Sequence, residues 1–241
     1  LTCKAAIKEI AALHGYYATF MPKPIKDLNG SGMHIHQSLF QNDKNAFFAN
    51  NKEHLSKTAR HFIAGLLKYA PEITSITNQW INSYKRLVPA ISNETLGYEA
   101  PTHVSWAKVN KSDLIRIPDY KKGRETSRRI EYRSPDPACN PYLTFSVLLA
   151  SGLSGITNKS KLPPPNNIHS AESYKNEQSE NLKPLPKSLS EAINLTKKSS
   201  LVKETLGNHA FSYFIQNKEF EYNQYRTQIT DYEIKHYLPI L

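Results

Sequence analysis

The chain has 241 residues, 39% of them hydrophobic and 22% charged, and 31 Lys and Arg against 21 Asp and Glu give a formal charge of +10. That is enough apolar material to pack one large domain or two small ones, which excludes a wholly disordered polymer; with cysteine only at 3 and 139, a disulfide scaffold is excluded too and a reducing, cytoplasmic setting is expected. No apolar run approaches the roughly 18 residues of a membrane-spanning helix and no basic start leads into a signal segment; the lysines are spread rather than blocked, with no zinc-finger or RNP-like motif, so neither a membrane nor nucleic acid is an expected partner.

Residues 1–14 read as a helix stopped by Gly15, and a start at Leu1 inside a helix suggests a segment of a longer polypeptide. Residues 16–21 are β-branched and aromatic enough for a strand, ended by Pro22 and Pro24 before the turn cluster 27–32. In residues 33–40 a period of two sets His34, His36 and Ser38 on one face and Met33, Ile35 and Leu39 on the other. Polar groups thereby line up above an apolar floor. Residues 52–69 carry Leu55, Ala59, Phe62, Ile63, Leu66 and Leu67 at helical spacing, with Pro71 following the expected end.

Between Trp80 and Pro118, strand-like pieces at 103–108 and 114–117 are preceded by a long polar loop, 90–97, of the kind that serves as a flap. Residues 128–133 alternate again, with Arg129, Glu131 and Arg133 on one face. Asn140-Pro141 opens a helix through about Ile156 whose near all-round apolarity predicts burial. Residues 158–187 are rich in Lys, Asn, Ser and Pro and read as a surface excursion. The rest reads as helical, with capping boxes at Ser188/Glu191 and Thr230/Glu233 and an aromatic-rich packing stretch at 211–225.

Two imidazoles on one strand face, His34 and His36, suit a divalent metal or an anion, and are equally compatible with ordinary polar sheet surface. Glu131 between Arg129 and Arg133 can hold a metal while the guanidinium forks grip phosphate or carboxylate, or can be a simple ion-pair ladder. With Arg86, Lys111 and Arg116 near turns, and Asn29-Gly30 permitting close backbone approach, these residues describe a site for a phosphorylated, carboxylate-bearing reactant. P-loop and dinucleotide fingerprints are absent from the sequence.

Residues 29–39 (NGSGMHIHQSL), 82–89 (NSYKRLVP), 97–101 (GYEAP), 129–137 (RIEYRSPDP) and 140–143 (NPYL), in this order, closely resemble glutamine synthetase, and 185–192 (LPKSLSEA) is similar to its C-terminal part. The resemblance implies an α+β fold in which a curved antiparallel sheet carries the site and helices pack outside. It makes 1–241 part of a catalytic domain: 1–157 the active-site part, 158–187 the excursion and 188–241 the helical end. It further implies ATP-dependent ligation of ammonium to L-glutamate through a γ-glutamyl phosphate, with Mg2+ or Mn2+, in a homo-oligomeric ring with sites between subunits.

Carried over by position, His34 and Glu131 match metal ligands. His36 and Ser38 match the nucleotide segment, and Lys111, Arg116 and Arg129 match cations around the phosphates. Asn29, Gly30, Arg86 and Arg133 match the glutamate site, while Glu99 is the flap carboxylate that accepts a proton from ammonium; Glu99 and Arg116 are the expected catalytic residues. The sequence departs from the pattern in the extension 90–96, in Lys111 where an arginine is usual, and in Thr126 where a lysine is common. The Glu-x-Glu strand and the small N-terminal domain of the family would precede Leu1. The expected chain is therefore a fragment of a complete ligase that is inactive alone. The alternatives are a γ-glutamyl-polyamine or other amine ligase of the same superfamily, which the longer flap favours, and a truncated non-catalytic homologue.

Overall fold

The computed structural model describes residues 1–26, 28–88, 100–166 and 182–241. Helix α1 (Thr2–Leu13) gives way at His14 to Gly15, whose φ of +73° turns the chain out of the helix. None of its residues is buried, and Ile7, Ile10 and Leu13 face outward. The strand expected at 16–21 does not form. Tyr16 and Tyr17 are exposed, and a β-prone sequence becomes a strand only where a neighbour offers a ladder and a surface to pack on.

Strand β1 (Ile35–Gln37) is followed by a small hairpin of β2 (Phe40–Gln41) and β3 (Lys44–Asn45). Its two turn residues, Asn42 and Asp43, both take positive φ, which matches the right-handed twist of the flanking strands. Strands β4 (Trp106–Ala107), β5 (Ile115–Arg116) and β6 (Ile130–Tyr132) join β1 in a sheet of order β1-β6-β5-β4. The α+β class and the sheet carrying the polar faces are as expected, but the sheet is mixed rather than antiparallel throughout. β1–β6 and β5–β6 are antiparallel, and β4–β5 is parallel. The parallel pair needs no helical crossover because each strand has two residues, so the connecting loop has to return over only about 7 Å.

Helix α2 (Lys57–Thr77) starts at Ser56, whose hydroxyl accepts from the Ala59 amide at 3.1 Å, and it runs through Pro71 instead of ending before it. Proline removes one ladder donor, a cost that packing overrides here: Ile73 and Ile76 extend the apolar face of Phe62, Ile63 and Leu66 into the core. Helix α4 (Pro141–Thr157) is capped by Asn140, which accepts from the Tyr142 and Leu143 amides. Only one side of α4 is buried. Thr144, Val147, Leu148, Ser151, Gly152 and Gly155 are buried on the side that α2 and α6 cover, whereas Phe145, Leu149 and Leu153 lie exposed.

The α2–α4 crossing is set by Gly65 and Gly155. A Cβ on Gly65 would stand 2.7 Å from the Gly155 amide nitrogen and closer still to the Ser151 carbonyl oxygen, so the two backbones meet without side chains between them. A short helix, α3 (Ser83–Arg86), follows α2. Helix α5 (Leu189–Lys197) packs on α2, and α6 (Ser200–Arg226), broken at Gly207, packs on α4 and α5; α7 (Asp231–Tyr237) ends the chain. Phe214 and Ile215 of α6 pack inward, while Tyr213 and Phe220 are exposed. Thr230 and Glu233 form the expected reciprocal capping box. At α5 only half of it forms, because the Glu191 carboxylate accepts from the Lys187 amide at 2.8 Å in place of the Ser188 amide.

One core joins sheet and helices, with Ile115, Ile130 and Tyr132 meeting Leu66, Ile73, Val147 and Leu189. Among the described residues no helix is long and apolar enough to cross a membrane. The ends of the 158–187 stretch are tied down: the Trp106 indole donates to the Pro163 carbonyl at 2.8 Å, and the Val104 amide donates to the Lys183 carbonyl at 2.8 Å. Gly155→Ala should force the α2–α4 crossing apart and lower stability by about 1–3 kcal/mol, read as a lower urea midpoint with helical content retained.

Candidate active site

Register places the charges of three strands in one row. Arg116 of β5 and His36 of β1 both stand opposite Glu131 of β6, and the period of two turns all three toward the same side. Glu131 is only 3% exposed. Burying a carboxylate is costly unless its lone pairs are met by donors, and here they are. Arg116 Nε donates to Oε2 at 2.7 Å, Arg133 Nη1 forms a close ion pair with Oε1, and His34 Nδ1 lies 3.0 Å from Oε1. Desolvation alone would raise the Glu131 pKa. The hydrogen bond from Arg116 and the charges of Arg133, Arg116 and His34 outweigh it, and the net shift is downward.

Arg133 is itself buried and anchored twice more, with Nε donating to the Lys111 carbonyl at 2.8 Å and Nη1 lying 3.3 Å from His34 Nδ1. Lys111 thus joins the site through its backbone. Arg129 Nε donates to His36 Nδ1 at 3.0 Å and Arg129 Nη1 donates to the Ser127 carbonyl at 3.2 Å. The His36 pKa is lowered, first by partial burial and then by the positive charges of Arg129, Arg116 and Arg133 against the opposing pull of Glu131. A neutral His36 that accepts at Nδ1 carries its proton on Nε2, which makes that nitrogen a donor. Ser38 is exposed two residues beyond His36, on the face the alternation assigns it.

Arg86 is placed differently from the other arginines. It is 7% exposed, and its guanidinium donates to backbone carbonyls: Nη1 to Ser134 at 2.6 Å and to Pro135 at 3.3 Å, and Nη2 to Arg133 at 3.2 Å. It grips the turn that leaves β6. The 29–32 loop lies against it, since a Cβ on Gly32 would come within 2.6 Å of Arg86 Nη2 and 3.1 Å of His34 Nε2. A Cβ on Gly30 would meet the Pro22 carbonyl and, at 3.1 Å, Arg86 Cγ. Gly30 and Gly32 therefore make room for Arg86, while Asn29 sits exposed on the loop. Glu99 and the 90–96 extension lie outside the described residues. Thr126 contributes its carbonyl, which accepts from Asn45 Nδ2 at 3.0 Å.

An imidazole and a carboxylate 3.0 Å apart are donors of the mixed kind that Mg2+ or Mn2+ accepts, so His34 and Glu131 fit one edge of such a site. Among the described residues no group of three or more His, Cys, Asp or Glu completes it. Below the arginines lies a buried polar cluster that the spacing arguments did not single out. Asn78 Nδ2 donates to the Ser134 carbonyl at 2.8 Å and to Asp136 Oδ2 at 3.0 Å. The run Thr74 to Asn78, polar apart from Ile76 yet on a core helix, is the signal that could have found it.

Comparison with known proteins places this geometry. The family model described as glutamine synthetase, catalytic domain, matches residues 1–237. The glutamine synthetase of Thermotoga maritima is 47% identical over 240 residues, which are 98% of this chain and 52% of the relative. That of Methanosarcina mazei is 46% identical over 243 residues, 100% of this chain and 52% of the relative. A solved structure of GmaS in an ADP complex superposes with a TM-score of 0.87 at 32% identity, covering 98% of this chain and 52% of that one. The chain spans about half the length of the curated relatives it matches.

Because the folded-state pKa of Glu131 is depressed, its contribution to stability is complete above the usual carboxylate range and is lost as pH falls through the folded value. Glu131→Gln should therefore cost about 3 kcal/mol at pH 7, where it strands Arg133 and Arg116. That deficit should shrink only in acid below the usual carboxylate range, once the native carboxylate is protonated as well. Urea unfolding at pH 7 and in that acid range checks both limbs.

Proposed function

The chain belongs to the glutamine synthetase family by its catalytic domain, and we propose that the protein it serves ligates ammonium to L-glutamate at the expense of ATP, through a γ-glutamyl phosphate, giving L-glutamine, ADP and phosphate. The observation that carries this reading is Glu131, buried and shared by Arg116, Arg133 and His34. A carboxylate does not condense with ammonia near neutral pH unless it is first activated. Phosphoryl transfer between two anions in turn needs a concentration of fixed positive charge.

The residues divide this work. Arg116 and Arg129, with Lys111, face the nucleotide phosphates, and neutral His36 offers Nε2–H beside Ser38 on the same side. Arg133 meets the glutamate carboxylate with its fork. Asn29 and Gly30 present loop backbone to the amino acid, and Arg86 holds the Arg133 turn against that loop. A divalent ion on His34 and Glu131, with further donors from outside the described residues, supplies charge neutralisation for the transferring phosphoryl group. Glu99, placed by sequence on the flap, accepts the proton of the incoming ammonium.

We further propose a reducing cytoplasmic setting, supported by two free cysteines, and a homo-oligomeric ring, supported by the uncovered apolar residues of α1. A second reading, ligation of a larger amine to glutamate, is supported by the 90–96 extension beside the flap glutamate.

The test is product formation from glutamate and ATP with ammonium, hydroxylamine or polyamines, using the protein at its full encoded length. Preference for ammonium is expected; preference for a polyamine selects the second reading, and silence with every acceptor rejects both. Glu131→Ala should lower turnover by about 10²- to 10³-fold, and unchanged ATP turnover would remove it from the phosphoryl site. Arg133→Lys should raise the glutamate KM about tenfold while leaving the ATP KM within about twofold.

A further inference from the structure

Asp136 lies just beyond the turn that Arg86 grips, and it is fully buried. Among the described residues no ion pair satisfies it. Its Oδ2 accepts from Asn78 Nδ2 at 3.0 Å and its Oδ1 accepts from the Ala138 amide at 3.0 Å, while the Ser83 hydroxyl favours its ionised form. The same Asn78 amide nitrogen reaches the Ser134 carbonyl at 2.8 Å, and Thr77 Oγ1 fixes the Asn78 side chain by donating to Oδ1 at 2.8 Å. Asn78 caps the end of α2, so the carboxylate ties that helix end to the turn.

The opposing charge is Arg86. Its guanidinium reaches the same turn from the other side, through the carbonyls of Arg133, Ser134 and Pro135, and its charge favours the ionised form of Asp136. Burial opposes ionisation of both groups and outweighs the rest, raising the Asp136 pKa and lowering that of Arg86, while each group favours the charged form of the other. Asn78 Nδ2, held by Asp136, and Arg86 Nη1 both donate to the Ser134 carbonyl, so the backbone of 133–135 is clamped between the carboxylate and the guanidinium. Arg133, whose guanidinium completes the Glu131 cage, hangs from that backbone. A packing role alone would not need the charge, because a neutral side chain in a polar pocket avoids the desolvation penalty that a carboxylate incurs.

We propose that Asp136 is a positioning residue for the glutamate side of the site: through Arg86 it fixes the turn carrying Arg133, and so sets the placement of the fork that receives the substrate carboxylate. This rests on the ligase reading above and deepens it. The nucleotide side hangs from β1, β5 and Arg129, which Asp136 does not touch, so the effect should be confined to one substrate.

The test is Asp136→Asn in the protein at its full encoded length, followed by steady-state kinetics for each substrate and a thermal melt. The glutamate KM should rise about tenfold, about 1.4 kcal/mol, with the ATP KM within about twofold. In an Arg86→Gln background the same substitution should change the glutamate KM by less than about twofold, because the group it acts through is gone. Asn78→Ser, which removes the amide joining Asp136 to the Ser134 carbonyl, should give a smaller change of the same selectivity, and it carries the test if Asp136→Asn does not fold. Unchanged kinetics, equal changes in both KM values that follow the melting temperature, or full additivity with Arg86→Gln would each overturn the positioning role. An unmodified protein that forms no amide from glutamate with any amine would overturn the ligase reading itself, and the inference with it.

Discussion

Glu131 carries a charge into the middle of a sheet where water scarcely reaches, and the surrounding polar architecture is organised around meeting it. A buried carboxylate in this position demands donors from several directions. They come from β5 (Arg116), from the strand end after β6 (Arg133) and from the approach to β1 (His34). Each donor arrives on a different segment, so the cage exists only when the strands are paired in register. The cluster that suits phosphoryl chemistry is also the cluster that penalises a slipped sheet, because a one-residue shift would turn Glu131 into the core and part it from Arg116 and His34.

The arginines illustrate how one side-chain type is put to two uses. Arg116 and Arg129 keep an open face and touch one charged or imidazole partner each, which leaves guanidinium edges directed at the site. Arg86 and Arg128 are buried and point at backbone carbonyls instead; Arg128 donates to the carbonyls of Pro118 at 3.0 Å and Glu53 at 2.7 Å. The planar fork satisfies several acceptors on irregular chain at once, which lets turns without secondary structure hold a fixed shape beneath the reactive face.

Alternation made the site legible from sequence where it coincided with real strands. His34, His36 and Ser38 share the expected exposed face, and Glu131 and Arg133 are in contact. The composition argument failed at 16–21 because, among the described residues, no neighbouring strand supplies a ladder there. The proline rule failed at Pro71 because burial of Ile73 and Ile76 outweighs the loss of a donor. Overall apolarity misread α4, since the count of apolar residues does not reveal how many faces find a partner. Asp136 and Asn78 went unassigned because their meaning is a contact between residues 58 positions apart.

What the sequence determined by itself is local: which residues alternate, where Asn140, Ser188 and Thr230 cap helices, and which blocks mark the family. These follow from covalent spacing and from hydrogen bonds within a few residues, so they need no knowledge of the rest of the chain. Only the tertiary structure decided that Arg116, Glu131 and His36 share one row, that Arg86 grips carbonyls, and that Gly65 and Gly155 let two helices touch. Those outcomes depend on distant segments meeting in one register and at one distance, and whether a buried charge or a missing side chain is favourable is settled by the partner that arrives there.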